Sequence, residues 1–339
     1  MSVTAKQLAA ELGISATAVS MALNNKPGVS TETRQNIIRY AEERGYDFTR
    51  LKHSANQHHG SIQIIMYKTH DAILSYSPIF NELYEGIKEE AQAAGFSVNM
   101  IQFYEKTDTL DRCFEDIRGT DCAGIILVGT EIRKETAQRF IALGYPFVLL
   151  DTYFDSLDCT SVVINNSQGA YIATDYLISM THTQPGYLQS SYEIPNFTDR
   201  HAGYVKAIRE NGMSSSRSII HKLSPSIADA MADMLEIIDR GDPLAHCYFA
   251  DNDMIAIGAM RAFKLRGYKV PEDVAFIGFD NISESRIVEP ALTTMDVPRI
   301  YIGHTAGELL IKQIDKRIYH ASKVEISTRL IKRLSHCSV

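Results

Sequence analysis

Cysteine is scarce in this chain and shows no pairing pattern. The five cysteines, Cys113, Cys122, Cys159, Cys247 and Cys337, are odd in number, scattered and free of any CxxC spacing. That argues against a disulfide framework and a zinc site, and fits a reducing cytoplasm. Long apolar runs are missing too. Stretches such as 123–128 fall far short of the about 18 apolar residues that would span a bilayer. The opening MSVTAKQLAAELGIS lacks the basic-then-apolar order of a signal sequence, so export is not expected. No GxGxxG follows a strand, and GxxxxGK[ST], GxSxG and HExxH are all absent. An enzyme is therefore not expected, nor is a cofactor or a metal. Excess positive charge is also lacking: 34 Lys and Arg against 41 Asp and Glu give −7, which alone speaks against nucleic acid. With 45% hydrophobic and 22% charged residues the composition is that of a soluble globular protein, not of a disordered, collagenous or coiled-coil chain.

The charge is unevenly placed. Residues 1–60 carry seven Lys/Arg and five Asp/Glu, so +2, while the rest carries 27 − 36 = −9. That marks the first 60 residues as a separate module. Its first 45 residues read as three short helices. Thr4 and Gln7 form a capping-box pair that opens the first, which runs to about Leu12, with Leu8, Ala9 and Leu12 on its apolar face. Gly13 supplies the turn. Ser15 caps the second helix, whose inward stripe is Val19, Ala22 and Leu23 and whose other face, Ala16, Thr17, Ser20 and Asn24, is small and polar. Pro27 and Gly28 end it, and Ser30 caps a third helix, with Ile37, Ile38 and Ala41 inward, that Gly45 closes. Two short helices across a glycine turn match both the helix-turn-helix plan and a generic three-helix bundle. The small polar face favours the former, since it allows close approach to a phosphate backbone.

Residues 46–60, YDFTRLKHSANQHHG, read as a polar linker. Its histidines, His53, His58 and His59, have no Cys or carboxylate set beside them and read as solvated, not as metal ligands. From Ser61 onward, apolar strands at 62–67, 96–101, 123–128, 147–151, 161–164, 186–191, 246–251 and 274–280 alternate with amphipathic helices. The first of these helices places Phe80, Leu83, Tyr84, Ile87, Ala91 and Ala94 on one face. Such alternation predicts parallel sheets covered on both faces, and more than 270 residues predicts two Rossmann-like lobes. Ligands of such sheets bind beyond the carboxyl ends of the strands, here the neighbourhoods of Tyr67, Val128, Asp151, Ser190, Asp251 and Asp280.

At this point the sequence resembles a family. TAKQLAAELGISATAVSMALNNKPGVSTETRQNIIRYAEERGY is similar to the DNA-binding head of the LacI/GalR regulators. SPIFNELYEGIKEEAQAAGF, NFTDRHAGY, FADNDMIAIGAMRA, VPEDVAFIGFDN and EPALTTMDVP are similar to that family's body, in the same order. The resemblance runs from about Val3 to the last strand. It implies a helix-turn-helix head, a hinge and a core like type I periplasmic binding proteins. In such cores the chain crosses three times between two lobes that hold a small effector.

The resemblance also implies residue roles. Ala16 and Thr17 match positions that reach base edges, where Thr17 can hydrogen-bond and Ala16 can only touch a thymine methyl. Ser20, Asn24, Ser30 and Thr33 match phosphate contacts, Lys6 matches a first-helix contact, and Ser15 and Asn25 fall within the same DNA-facing set. Met21 departs from an arginine common in the family and cannot make its bidentate contact with guanine. The hinge departs further: the usual minor-groove leucine position is Ala55, a poor wedge, with Leu51 one turn earlier, and the usual proline is Phe48. That argues against an ordinary hinge insertion. In the core, Arg200 and Asp280 match effector-gripping positions, Asn252 an amide in the same wall, and Phe80 and Phe249 flanking aromatics; Asp151 and Ser190, at strand ends, are further expected contacts. Asp253 reads as structural.

The expected fold is α/β: a small all-α head (1–45), a hinge (46–60) and two parallel-sheet lobes (61–339), divided as 61–162 with 292–322 and 163–291 with 323–339. The expected function is a sequence-specific DNA-binding regulator, a repressor by family usage, whose operator affinity is switched by a small effector, a sugar or derivative. A regulator with a non-sugar effector or protein corepressor is the alternative; a solute-binding protein for transport would lack the head. The expected partners are a pseudopalindromic double-stranded operator, the effector and a second copy of the chain, with no membrane. No leucine-heptad tail follows Ile331, so a tail-driven tetramer is not expected.

Overall fold

The computed structural model describes residues 3–23, 29, 31–46, 59–69, 79–317 and 320–336. The chain forms two compact units, Met1–His59 and Gly60–Val339. Asn24, Asn25, Ser30, Leu51 and Ala55 lie outside the described residues.

The first unit contains α1 (Ala5–Leu12), α2 (Ala16–Leu23) and α3 (Thr31–Glu43). The capping box forms as the sequence predicts: Gln7 N–H donates to Thr4 Oγ1, and the Gln7 side chain accepts from the Thr4 backbone. Gly13 takes the left-handed conformation at φ +67° that turns α1 into α2. Ser15 caps α2 by accepting from Ala18 N–H at 3.1 Å. The apolar stripes meet in one small core of Leu8, Ala9, Val19, Ala22, Ile37 and Ala41. Glu11 ties α1 to α3, accepting from Arg44 at 2.6 Å and from the Tyr40 hydroxyl at 3.2 Å.

The second unit holds two six-stranded sheets. The first runs β1 (Ser61–Lys68), β2 (Ser97–Tyr104), β3 (Cys122–Val128), β4 (Phe147–Leu150), β5 (Thr160–Ile164) and β11 (Lys323–Ile326), in the order β11-β5-β4-β3-β1-β2, all parallel. The second contains β6 (Gly186–Ser190), β7 (Ile220–Leu223), β8 (Cys247–Ala250), β9 (Ala275–Asp280), β10 (Thr293–Asp296) and β12 (Arg329–Ile331), in the order β12-β10-β9-β8-β6-β7. Only the β10–β12 pair is antiparallel.

The central strands of each sheet are buried on both faces, as strands inside largely parallel sheets require, while the edge strands are partly exposed. In β1, Ile62, Ile64 and Met66 pack against α4 (Ile79–Ala93) and α12 (Arg299–Ile314), while Ile65 and Tyr67 face α5 (Leu110–Arg118) and α6 (Lys134–Ile141). On α4 the predicted face is the packed one: Leu83, Ile87 and Ala91 are buried, with Phe80, Tyr84 and Ala94 partly so. The second sheet lies between α7 (Asn166–Thr181) with α8 (Pro195–Glu210) and α9 (Ile227–Asp239) with α10 (Asp253–Leu265); a short α11 (Glu284–Ile287) follows β9.

The strand pairing moves all three lobe boundaries expected from sequence, the first because β5 runs to Ile164 within the first sheet, past 162. Thr293–Asp296 pairs with β9 in the second sheet, so the chain returns to the first lobe after Asp296, not at 292. Lys323–Ile326 pairs with β5 in the first sheet, so the last crossing follows Ile326, not 322. TTMD and KVEI are four-residue strands with half-polar sequences, and only their distant partners define them. Three crossings remain. No helix among the described residues is long and apolar enough to cross a membrane.

Candidate functional site

Two aspartates mark the cleft between the lobes. Asp151 directly follows β4 in the first lobe and Asp280 ends β9 in the second. Both hold positive φ, 68° and 109°, where a side chain with Cβ is strained. Strain of this kind persists where surrounding contacts over-determine it, and it clusters at ligand sites.

Those contacts form a continuous polar network. Asp151 accepts from the Thr130 hydroxyl at 2.5 Å, within its own lobe, and from Asn196 Nδ2 at 3.1 Å, across the cleft. Asn196 Oδ1 accepts from Asn166 Nδ2 at 3.1 Å. Asn166 Oδ1 in turn accepts from Arg200 Nε at 2.9 Å. Arg200 also donates Nη1 to the Asp251 carbonyl, and its Nη2 lies 3.3 Å from Asp280 Oδ1. Its guanidinium sits 3.7 Å from the centre of the Phe279 ring, a stacked cation–π contact. Asn196 and Arg200 are four residues apart on α8, so the helix itself places both on one face.

Burial sets the electrostatics. It raises the Asp151 carboxyl above the usual carboxylate range, against the opposing pull of Thr130, Asn196 and the nearby Arg200 charge. Asp251, fully buried behind Arg200, is pushed up to about 7 by burial, although Ser190 N–H donates to it at 2.6 Å and the Tyr187 hydroxyl donates to its other oxygen. Asp253 is structural, as expected. One of its carboxylate oxygens accepts from the Thr294 hydroxyl and the other from Ile282 N–H, so it joins α10, β10 and the turn after β9.

The structure brings Arg200, Asp280 and Asp151 into one network, but gives three other expected effector contacts different work. Asn252 Oδ1 caps α10 by accepting from Ile255 N–H at 2.9 Å. Phe249 is fully buried, 5.8 Å from the Tyr187 ring, and offers no surface to the cleft in this conformation. Ser190 is buried, and its hydroxyl accepts from Tyr192 N–H at 3.1 Å. Phe80 sits on α4, partly buried against the first-lobe core. Sequence reasoning missed Thr130, Asn166, Asn196 and Arg299, the last donating to the Asp280 carbonyl from the first lobe. Asn196 carried a signal, standing i−4 to Arg200 within the NFTDR stretch.

Similarity to known proteins extends over the whole chain. The profile of the periplasmic binding protein-like domain family matches residues 174–336. The transcriptional repressor PurR of Mannheimia succiniciproducens is 25% identical over 98% of both chains. The NTD biosynthesis operon regulator NtdR of Bacillus subtilis is 29% identical, covering 98% of this chain and 99% of its own. Along its length the chain is similar to transcriptional regulators, LacI-family proteins among them. The structure of the regulator CelR in complex with cellobiose superposes on 98% of this chain with a TM-score of 0.74 at 22% identity, sharing the fold from head to core. Of the residues expected to face DNA, four lie on α2, one on α1 and one on α3. On α2, Ala16, Thr17 and Ser20 are exposed and Met21 is half-buried; Lys6 on α1 and Thr33 on α3 are exposed as well.

Proposed function

We propose that this chain represses transcription by binding a pseudopalindromic operator as a homodimer, and that a small effector between the core lobes sets its operator affinity. The observation that carries the effector half is the Asp151–Asn196 hydrogen bond. It joins a strained residue of one lobe to a network that ends on a strained residue of the other. A ligand that exchanges hydrogen bonds with Asp151, Asn196 or Asp280 changes how firmly the lobes are held together. A polyhydroxylated molecule suits these groups, since hydroxyls can both donate to carboxylates and accept from amides.

The head contacts DNA through the small polar face of α2. Short side chains there bring the backbone near phosphates, and Thr17 is the residue that reads a base edge. A difference of about 1–3 kcal/mol in effector affinity between two lobe arrangements suffices to switch operator occupancy. The reading places the protein in the cytoplasm, at the nucleoid, without enzymatic activity. A screen of sugars by thermal melting, repeated with operator DNA in a mobility-shift assay, tests it. A sugar that stabilises the core and also changes operator affinity supports the reading; core ligands with no effect on operator affinity refute the coupling.

A further inference from the structure

Arg299 is the first residue of α12, just beyond the second crossing, and its side chain is only 7% exposed. Its Nη2 donates to the Asp280 carbonyl, so it braces the strained end of β9 from the opposite lobe. Its one carboxylate partner among the described residues is Glu82 of α4, at 3.5 Å and half exposed. Its Nε has no hydrogen-bond partner among the described residues. A buried guanidinium with an orphaned donor and one distant, solvated counter-ion is under-compensated, and that is costly unless something else completes it. Arg299 lines a cavity of about 410 Å³ together with Glu82 from its own lobe and Asn281, Ser283 and Arg286 from the other. Arg286 is exposed and makes no side-chain hydrogen bond or ion pair among the described residues.

We propose that this cavity is an anion subsite, in which a carboxylate or phosphate group sits between Arg299 of one lobe and Arg286 of the other. The inference rests on the effector reading above and narrows its chemistry: the effector is an anionic sugar derivative, such as a sugar acid or sugar phosphate, with its anion at the crossover side of the cleft. Arg299 supplies its charge and the Nη1 donor that now faces Glu82. Glu82 gives way at little cost, because its half-exposed carboxylate returns to water. Ser283 lies on the rim, its hydroxyl donating to Glu284 at 2.9 Å. With one arginine on each lobe, the bound anion joins the lobes, so the charge is read by the same movement that controls the Asp151–Asn196 bond.

The full chain is tested by calorimetric titration and thermal melting with inorganic phosphate, a panel of hexose phosphates and sugar acids, and the uncharged parent sugars, at ionic strength fixed with potassium chloride. The expected result is saturable binding of anionic ligands, with the parent sugars at least about tenfold weaker, the value of one charge-assisted hydrogen bond. Arg286→Gln lowers anion affinity about tenfold without moving the ligand-free melting temperature, since that side chain is exposed. Arg299→Lys, which keeps the charge and loses the guanidinium Nη1 donor, weakens it too. Inorganic phosphate binding as tightly as the sugar phosphates supports a subsite for free phosphate; much tighter binding of sugar-linked anions supports the effector as the source. Parent sugars binding as tightly as their anionic derivatives overturn the subsite and leave the effector reading standing. No saturable response to any anion, or an undiminished one in Arg286→Gln, also overturns it. Operator binding by the same preparation tests the regulator reading separately.

Discussion

Arg200→Ala is expected to destabilise the ligand-free core before it says anything about effector. The wild-type guanidinium satisfies Asn166, the Asp251 carbonyl and Asp280, and stacks on Phe279, while itself only 3% exposed. Truncation leaves the Asp251 carbonyl without that donor and removes the cation nearest Asp280. Breaking a buried pair from one side costs about 3–5 kcal/mol, and the lower figure applies because Asp280 reaches some solvent and Asn166 keeps Asn196. At about 2–4 °C per kcal/mol for a chain of this size, a loss of about 3 kcal/mol lowers the melting temperature by about 6–12 °C. Scanning calorimetry of the ligand-free protein measures it, with Arg200→Lys as the partner variant that keeps the charge and loses the fork. Effector affinity, titrated well below both transitions, then reports the ligand role on folded protein. A melting temperature within about 2 °C of the parent's would refute the view that Arg200 holds the cleft wall together.

Other consequences are equally open to measurement. Thr17→Ala and Ser20→Ala should weaken operator binding without moving the melting temperature of the core; a lost base contact changes sequence preference, whereas a lost phosphate contact weakens all sites alike, and unaltered binding to every operator tested means α2 is not the reading helix. Asn196→Ala removes one of the hydrogen bonds between the lobes and should make operator affinity less responsive to effector; a wild-type response argues that the lobes are coupled elsewhere, as through Arg299 and Asp280. Asp251 predicts a pH effect. Its folded carboxyl titrates near 7 against an ordinary 3.8, so the folded state holds the extra proton, and core stability should fall as pH rises from about 4 to about 7. Asp251→Asn should flatten that slope, and a slope identical to the parent's would show that the proton resides elsewhere. Ala55→Leu should strengthen binding at operators with a flexible central pyrimidine–purine step, and no gain there would mean the linker does not enter the minor groove.

The sequence revealed the architecture where burial is two-sided. The run IQIIMY is buried on both faces, and its one strongly polar residue, Gln63, does not break the apolar run. Ile220–Leu223, Thr293–Asp296, Lys323–Ile326 and Arg329–Ile331 escaped because three of the four are sheet edges and all are four residues or fewer, defined by partners far away in the chain. The site divides similarly. Arg200 and Asp280 were legible through the resemblance of NFTDRHAGY and GFDN to a known family, and they lie 3.3 Å apart. Residue type alone does not disclose whether a polar group faces a ligand or is consumed internally: Asn252 spends its oxygen on a helix cap, and Asn166, unremarkable in sequence, joins Asn196 to Arg200. Arg299 was hidden for the opposite reason, since a basic residue in the first turn of a helix reads as a solvated one until its burial is known.

The last two strands have a consequence for synthesis. β11 closes one edge of the first sheet and β12 one edge of the second, and both lie within residues 323–331. Neither lobe can complete its sheet while the ribosome still holds that segment, although most of the hydrophobic core has already emerged. Each nascent lobe must therefore wait with an open, hydrogen-bond-hungry edge on β5 or β10, the kind of surface that pairs with neighbouring chains. A nonsense mutation near 320 would leave both halves unfinished at once, so the cell should see an aggregating product and not a partly active one.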